Sequence, residues 1–317
     1  MQKIVDDSRL IVKCCKLYYE ENYTQNGIGS ILGVSRPTIS RLLQEGRDLG
    51  IVKIEISNPF KSNFEALERE TEKRFNIREV LIVEDEVDDK LQKKQIGKAA
   101  AKYLQRIVKD GDAIGVSMGT TIKDISEYIK KREGSKVIFI PLIGGVGQSK
   151  IEIHSNDIVI GLGQSFGGAF KLLHAPAVVG NEHIKKELLK EKSIKDVIDH
   201  SKLCNIGIVG IGSPIDRAST MMTTGYFNEN DTREFNKLGI VGDICLQFYD
   251  INGNSEKFDF NKRVIGIDLA DLRKINTVIG VACGAKKVVA IIGALHSKII
   301  NVLVTNYSNA VAINNYK

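Results

Sequence analysis

The side chains best suited to reading DNA lie in one short stretch near the start of the chain. Two arginines and two hydroxyl residues are interspersed there with apolar positions at helical spacing: Arg36, Thr38, Ser40 and Arg41. Arginine can donate two hydrogen bonds to guanine, and hydroxyl groups reach base edges or phosphates. Ile39, Leu42 and Leu43 would pack inward and leave the polar set exposed. The pattern predicts a helix that reads double-stranded DNA.

A helix-turn-helix would position this set. Thr24 and Ser35 are predicted N-caps of two consecutive helices, and Gly33 between them permits the positive φ that ends the first. Pro37 falls in the first turn of the second helix, where its missing N–H does no harm. The residues predicted to contact DNA are Thr24, Gln25, Ser35, Arg36, Thr38, Ser40 and Arg41.

This domain also needs a small apolar core. A preceding helix would contribute the stripe Leu10, Cys14, Leu17 and Tyr18. The first helix of the motif would add Ile28, Ile31 and Leu32. The alternation in residues 51–56 predicts a short strand after Gly50. A small helical domain that merely contains a glycine turn, without DNA binding, is the alternative.

Composition places this motif in a larger protein. The chain has 317 residues and a net charge of +6, whereas residues 1–57 contain eight basic and seven acidic residues. The DNA prediction therefore rests on the motif and not on overall basicity. The five cysteines show no C-x-x-C pair and are expected to be core thiols in a reducing compartment. No apolar run reaches membrane-spanning length, and a cytoplasmic location is expected.

A domain boundary is predicted where Asn58 and Pro59 interrupt the pattern. The expected domains are a helix-turn-helix domain at residues 1–57 and an effector domain at residues 58–317. Ser62 would then begin an amphipathic helix whose apolar stripe is Phe64, Leu67, Thr71 and Phe75. That helix belongs either to the core of the second domain or to a dimer interface.

Short runs rich in valine and isoleucine alternate with helical segments from residue 80 onward. The apolar runs are 80–83, 113–116, 137–142, 206–209, 240–244, 264–267, 277–282, 288–292 and 302–305. Helices are predicted near 90–108, near 121–131 and from about 156. This alternation indicates βαβ units, so the predicted class is α/β, with a Rossmann-like parallel sheet covered on both faces.

Ligands of open parallel sheets bind at the carboxyl ends of the strands. Gly119, Thr120 and Thr121 follow the predicted strand 113–116 and would open a helix. Free N–H groups and two hydroxyls there could hold a phosphate, although an ordinary capping turn has the same sequence. Gly144 and Gly145 follow the next strand and would let the backbone approach a ligand closely.

Three polar residues near strand ends are further candidates. His154 and Asn156 lie at a predicted helix start, where they could reach sugar hydroxyls or simply cap the helix. Asp243 ends a predicted strand and could hold hydroxyls or belong to a turn. Its sequence neighbourhood does not decide between the two.

Two lysines follow a glycine turn at the start of another predicted helix. Gly284 precedes Lys286 and Lys287. A cation in the first helical turn opposes the helix dipole, and a bound anion would remove that conflict. Either lysine could instead be simply solvated.

The order of these motifs resembles the SorC family of bacterial sugar-responsive transcriptional regulators over nearly the whole chain. The stretches that carry the resemblance are residues 35–43, 115–121, 141–145, 225–227, 241–244, 281–287 and 290–295. The resemblance implies a helix-turn-helix joined to a domain similar to sugar-phosphate isomerases and deaminases, without their catalysis. It implies a phosphate site at Gly119, Thr120, Thr121, Gly284 and Lys287, with the sugar near Gly144, Gly145 and residues 154–156.

Two departures from the family pattern limit this transfer. The family often has Thr-Asp near the C-terminus where this chain has Thr305 and Asn306, and no lysine stands beside Gly144 and Gly145 to form a Schiff base with a sugar aldehyde. Lys150 is the nearest amine.

The predicted function is regulation of a carbohydrate-utilisation operon through double-stranded operator DNA, under the control of a phosphorylated sugar. No catalytic residue, metal, cofactor or membrane contact is expected. Paired half-sites require at least a homodimer, and the resemblance implies a homotetramer. An isomerase or deaminase acting on sugar phosphates and a nucleotide-sensing regulator are the alternatives.

Overall fold

The computed structural model describes residues 8–55, 64–131, 134–147, 153–214, 222, 226–227 and 229–316. They belong to two compact units, one within residues 1–61 and the other within residues 62–317. The predicted boundary at residues 57 and 58 and the predicted helix start at Ser62 lie outside the described residues, so both stay predictions. In the described part of the chain no helix is long and apolar enough to cross a membrane.

Three helices build the described part of the first unit: α1 (Ser8–Tyr19), α2 (Gln25–Leu32) and α3 (Arg36–Asp48). Their shared core consists of Ile11, Cys14, Cys15, Leu17, Ile28, Ile39, Leu42 and Leu43. The core positions predicted on α3 are confirmed. Ile31 is an error in the prediction, because it is 51% exposed and lies away from this core.

The strand predicted after Gly50 is absent from residues 51–55. The unit offers no second strand within its described residues, and a single strand cannot satisfy its own backbone hydrogen bonds. Val52 instead continues the helical core, since its N–H donates to the carbonyl of Gly46 at 3.0 Å and its side chain packs on the helices.

The second unit contains a seven-stranded sheet. Its strands are β1 (Glu79–Val83), β2 (Ala113–Val116), β3 (Ile138–Pro141), β4 (Ala169–Phe170), β5 (Ile206–Gly210), β8 (Thr277–Val281) and β9 (Val302–Asn306). They lie in the order β1-β9-β8-β5-β2-β3-β4, and every pairing is parallel. A separate antiparallel pair is formed by β6 (Ile240–Ile244) and β7 (Gln247–Asp250). The predicted α/β class is confirmed.

The helices described in the second unit are, in chain order, α4 (Glu65–Phe75), α5 (Asp89–Ile107), α6 (Ser155–Phe166), α7 (Glu182–Leu188), α8 (Lys192–Lys202), α9 (Glu229–Lys237), α10 (Leu269–Leu272), α11 (Val288–His296) and α12 (Tyr307–Asn315). Short 3₁₀ segments cover Lys123–Tyr128, Asp259–Arg263 and Ala285–Lys287.

Successive side chains of the strands enter two separate cores. Val278 belongs to one core, with residues of α8 and α11, whereas its neighbour Ile279 belongs to the other, with residues of α5 and α6. Leu303 and Val304 on β9 divide in the same way. Since side chains alternate along a strand, the sheet is covered by helices on both faces, as predicted.

Three predicted elements of the second unit are wrong. Val288–His296 is helix α11 and not a strand, because its apolar residues are buried on almost every side and a continuous apolar run does not distinguish a buried helix from a buried strand. Residues 264–267 form only isolated bridges, Val264 to Val178 and Gly266 to Ile143. The helix predicted near 121–131 is a 3₁₀ segment, Lys123–Tyr128, preceded by a turn.

The strand predicted at 240–244 exists as β6 but lies outside the parallel sheet. Cys245 and Leu246 follow it with φ of 51° and 58°. Two consecutive residues of positive φ form a tight hairpin turn, so the chain reverses at once into β7.

Helix α4 packs on strand β1 at the edge of the sheet, and its stripe contacts the core of the second unit, with Phe64 and Leu67 half-buried. Thr71 and Phe75 are buried, and the carboxylates of Glu68 and Glu72 accept the outward N–H groups of Ile82 and Val80, each at 2.9 Å. These two bonds satisfy an edge that would otherwise be open to pairing with another strand.

Candidate DNA-binding and effector sites

Both capped helix starts of the helix-turn-helix are present in the first unit. The hydroxyl of Thr24 accepts the N–H of Gly27 at 3.1 Å, and that of Ser35 accepts the N–H of Thr38 at 3.4 Å. Gly33 lies between them at φ 68° and ends α2. The local sequence therefore positions α3, as predicted.

Gly29 has a role in this turn that sequence reasoning missed. A β-carbon at position 29 would lie 2.7 Å from the carbonyl oxygen of Val34. Such a distance is too short for any side chain, so only glycine allows the chain after α2 to fold back against it. The signal was the second glycine of the stretch, two residues after Gly27.

Helix α3 presents its predicted polar set to solvent. Arg36, Ser40 and Arg41 are exposed, while Ile39 and Leu42 on the opposite face are fully buried. Thr38 is half-buried, and its hydroxyl lies 2.9 Å from that of Ser35, so it also supports the cap. Among the other predicted contacts, Thr24 and Ser35 are exposed and Gln25 is half-buried.

Sheet topology locates the ligand crevice of the second unit. From β2 the chain moves outward through β3 to β4, and then returns to place β5 on the other side of β2. Ligands of such sheets bind outside the carboxyl ends of the strands at this switch point. The loops after β2 and β5 meet there, since a β-carbon at Gly210 would lie 3.5 Å from the carbonyl oxygen of Met118.

The loop after β2 contains the predicted Gly-Thr-Thr turn. Gly119 has φ 152°, and its carbonyl accepts the N–H of Lys123 at 3.1 Å. Thr120 and Thr121 are half-buried, and within the described residues neither their hydroxyls nor their N–H groups form a hydrogen bond. The turn thus contains four donors that would suit an anion.

The second candidate turn, which contains two lysines, lies after β8. Gly284 has φ 97°, and Lys287 closes the 3₁₀ turn by donating its N–H to the carbonyl of Gly284 at 2.9 Å. Helix α11 follows directly, so Lys287 stands at its N-terminus, as predicted. Lys287 is half-buried and Lys286 is exposed.

Asp243 is brought to the same place by β6. Its backbone exchanges hydrogen bonds of 2.8 and 3.2 Å with Gly212, just after β5. Its carboxyl group lies against Gly212 so closely that a β-carbon there would be 1.8 Å from Oδ1. Burial raises the pKa of Asp243 to about 6, against the opposing effects of the Lys287 charge and the Leu246 N–H. The Lys287 charge therefore acts on the Asp243 carboxyl, and Gly212 is a requirement that the sequence did not reveal.

The glycine loop after β3 uses its N–H groups inside the protein. Gly144 donates to the carbonyl of Ile265 at 3.0 Å and Gly145 donates to that of Ala175 at 2.8 Å. A β-carbon on Gly144 would lie 2.5 Å from the carbonyl oxygen of Ala175. The close approach predicted for these glycines is therefore to a neighbouring backbone segment, and their contact with a ligand stays a prediction.

His154 and Asn156 begin α6 beside that loop. His154 is the N-cap and forms no side-chain cap bond, and its Nδ1 would lie 3.8 Å from a β-carbon on Gly145. The Asn156 amide bridges the backbone of Leu173 through both of its polar atoms, at 3.0 and 3.2 Å. The structure thus favours a structural role for Asn156, and its predicted contact with the effector is not tested.

Asn306 and Asp85 support the Gly284 turn, and sequence reasoning did not assign them. Asn306 accepts the Gly284 N–H at 3.3 Å and donates to Asp85 at 2.6 Å. Asp85 also accepts the N–H of Ser308 at the start of α12. Burial raises the pKa of Asp85, but its hydrogen bonds to Ser308 and Asn306 together hold it below the usual value. An asparagine at 306 avoids placing a second carboxylate against Asp85.

The described residues contain no group of His, Cys, Asp and Glu that could hold a metal ion. A helix-turn-helix unit together with a doubly wound α/β unit that has polar loops at its switch point is the architecture expected of a ligand-responsive DNA-binding protein.

Comparison with known proteins gives this class a family. Residues 59–314 match the family described as "Putative sugar-binding domain". The "Sorbitol operon regulator" of Klebsiella pneumoniae is 34% identical over 310 residues, which are 96% of this chain and 97% of that protein. The "Deoxyribonucleoside regulator" of Bacillus subtilis (strain 168) is 33% identical and covers 98% of each chain.

Solved structures agree with the sequence relatives. The crystal structure of the full-length sorbitol operon regulator SorC from Klebsiella pneumoniae matches with a TM-score of 0.75 and 33% identity, over 98% of this chain and all (100%) of that one. The chain belongs to this family of sugar-binding transcriptional regulators. The predicted resemblance to the SorC family is confirmed.

Proposed function

We propose that this protein binds operator DNA through α3 and is controlled by a phosphorylated sugar in the crevice of the second unit. The phosphate is held by the turns at Gly119 and Gly284, with Thr120, Thr121 and Lys287 as its partners. Two turns carry the proposal: Lys287 at the N-terminus of α11 and the donors of the Thr120 turn follow the carboxyl ends of β8 and β2 in one parallel sheet, and each suits an anion.

In this proposal Asp243 binds the sugar hydroxyls, and His154 and the loop of Gly144 and Gly145 lie near the sugar. A carboxylate accepts two hydroxyl donors, and an ionised Asp243 next to Lys287 is favoured when such donors replace lost water. Two of the relatives are named for sorbitol and for deoxyribonucleosides, which supports a carbohydrate effector and a carbohydrate-utilisation operon.

Control of DNA binding follows from linkage. A sugar phosphate that binds one arrangement of subunits better than another shifts the population toward it and changes the placement of paired recognition helices. The proposal therefore includes at least a homodimer, with a homotetramer as the fuller assembly, in the cytoplasm. It assigns DNA binding to residues 1–57 and effector binding to residues 58–317. It includes no turnover of the ligand, consistent with relatives named as regulators.

The test compares two adjacent lysines. Calorimetric titration of the full chain with a panel of sugar phosphates identifies a ligand, and Lys287→Ala is expected to weaken its binding about 10- to 100-fold, the loss of one charge-assisted hydrogen bond. Lys286→Ala, a neighbouring exposed lysine, serves as the matched control and should retain binding within a factor of about 2.

Operator DNA retained by both variants would show that the first unit is intact. Equal losses for Lys286→Ala and Lys287→Ala would place the phosphate elsewhere, and equal binding of the unphosphorylated sugar would show that the protein does not recognise a phosphate. Binding of adenine nucleotides in preference to every sugar phosphate would favour a nucleotide sensor, and release of a product at a steady rate would favour an enzyme.

A further inference from the structure

Helix α5 carries a row of basic side chains that no part of the effector site uses. Within Asp89–Ile107 the sequence places a cation at every fourth position: Lys90, Lys94, Lys98, Lys102 and Arg106. All five residues are exposed. Residues four apart are neighbours on a helix, so these five side chains form a continuous row, the basic row. It extends about 24 Å and winds slowly around the helix.

The rest of α5 explains its fold without the basic row. Its opposite face buries Ile96, Ala100 and Leu104 against the sheet, and Asp88 caps its N-terminus by accepting the N–H of Leu91 at 2.8 Å. Like charges one turn apart destabilise a helix. The basic row therefore works against the helix that carries it.

Carboxylates compensate this row only at its C-terminal end. Arg106 pairs with Glu79, and within the described residues Lys90, Lys94 and Lys98 form no ion pair. The charge of Lys94 does act on the buried carboxyl of Asp124. Burial raises the pKa of Asp124 above its ordinary value, and the charges of Lys123, Lys94 and Lys93 oppose that rise. Asp124 lies beneath the helix and is 7% exposed, so it does not neutralise the outer face.

Helix α8 shows how an ordinary solvated face of the same unit is composed. Its three lysines are interspersed with acids, and Lys195 and Lys202 both pair with Asp199, at 3.4 and 3.3 Å. Mixed signs of this kind are typical of a helix that meets only water. In α5 six basic residues stand against one acidic residue.

The charge distribution along the chain indicates which polyanion fits this row. Residues 1–57 contain eight basic and seven acidic residues, so the DNA-binding unit brings almost none of the net charge of +6. Essentially all of the sequence-independent affinity of a protein for duplex DNA comes from phosphates neutralised by lysine and arginine. The relatives of this chain are named as transcriptional regulators, which act on DNA. In this chain, however, the excess of basic residues lies on α5 and not in the DNA-binding unit.

We propose that the basic row of α5 is a second DNA contact, which binds the phosphate backbone of duplex DNA without reading its sequence. The row's regular spacing along about 24 Å suits successive phosphates of one duplex. The proposal needs only the DNA-binding function of the family and is independent of the effector crevice.

Salt dependence of DNA binding tests this contact. The full chain is titrated with a fluorescent duplex of random sequence, about 60 base pairs long, over a range of salt concentrations. The triple variant Lys90→Gln, Lys94→Gln, Lys98→Gln is expected to make the slope of log affinity against log salt shallower by up to about 2.7. This is about 0.9 for each phosphate contact that is lost. The matched control is Lys192→Gln, Lys195→Gln, Lys202→Gln on α8, which removes the same charge from the same unit.

A slope that falls for the α5 variant and not for the α8 variant supports the contact. An unchanged slope for the α5 variant overturns the proposal, and it is also the result expected if the basic row binds an acidic protein instead. Equal decreases for both variants overturn it too, because the effect then comes from the net charge of the unit and not from α5. Thermal unfolding of each variant checks the fold, and loss of like-charge repulsion makes α5 at least as stable. Retained effector binding separates failure of this proposal from failure of the effector site.

Discussion

The buried carboxyl group of Asp243 lowers the stability of the folded protein at neutral pH. Replacing Asp243 by a neutral side chain of similar shape should therefore stabilise the protein. Burial raises its pKa from 3.8 to about 6. A carboxyl group that binds its proton more tightly when folded contributes its full stability below pH 3.8 and loses it as the pH rises through about 6. At neutral pH the protein therefore holds an ionised group in a place that favours the neutral one.

The size of the effect follows from that pKa difference. Ionisation of Asp243 costs about 3 kcal/mol at pH 8 and about 1.5 kcal/mol at pH 5, where the folded protein keeps most of its proton. Asparagine has nearly the same shape and can still accept the N–H of Leu246. Asp243→Asn should thus raise the free energy of unfolding by up to about 3 kcal/mol at pH 8, and its advantage should shrink by about half at pH 5.

Urea unfolding of both proteins at pH 5 and pH 8 measures this difference. Asp196→Asn on α8 replaces an exposed carboxylate and should change stability by less than about 0.5 kcal/mol at either pH. A destabilised Asp243→Asn, or the same stability change at both pH values, would refute the reasoning. The same variant should bind the sugar phosphate more weakly, since an amide accepts fewer hydroxyl donors than a carboxylate.

Two further predictions concern Arg41 on α3 and a buried asparagine on α12. Arg41→Ala should weaken operator binding by about 1–3 kcal/mol in fluorescence anisotropy while the melting temperature stays the same, with Lys13→Ala on α1 as the exposed control; a large melting shift would make Arg41 structural. Asn309 on α12 is fully buried, and neither polar atom of its side chain has a partner in the described part of the chain. Asn309→Leu should therefore raise the free energy of unfolding by about 1–3 kcal/mol, whereas Asn315→Leu at an exposed position should not, and a destabilised Asn309→Leu would indicate a polar partner.

Local signals made the first unit predictable. Thr24, Gly33 and Ser35 each act within a few residues of chain, through caps and one positive φ, and the structure places all three where the sequence indicated. Ile31 failed because helical spacing identifies a stripe but not its width, and this residue falls at the stripe's exposed margin. The strand after Gly50 failed because alternation gives no information about a pairing partner.

The sheet could be predicted as a class but not in every strand. Runs 113–116 and 302–305 fall within one residue of β2 and β9, since both strands are buried on two faces and read as continuous apolar segments. The same reading fails for Val288–His296, where a helix is equally buried. The hairpin after β6 depends on positive φ at Cys245 and Leu246, which no glycine announces.

The effector site shows a sharper limit. Gly119 and Lys287 could be proposed from the sequence because each belongs to a turn whose local sequence suits an anion, and their contact with an effector stays a prediction. Gly212 and Asn306 could not, since their roles arise from partners far away in the chain, Asp243 for the first and Gly284 with Asp85 for the second. Spatial neighbours of this kind become visible only when the topology brings β5, β8 and β9 side by side.

Two features of the crevice oppose folding, and their coincidence argues for one ligand. Lys287 stands at the positive end of α11, and Asp243 is buried where ionisation is disfavoured. Each would be removed easily by substitution, yet the charge of Lys287 acts on the buried carboxyl of Asp243. A phosphate would relieve the conflict at Lys287, and sugar hydroxyls would provide donors to Asp243. A single phosphorylated sugar accounts for both, whereas an anion without hydroxyls leaves the burial of Asp243 unexplained.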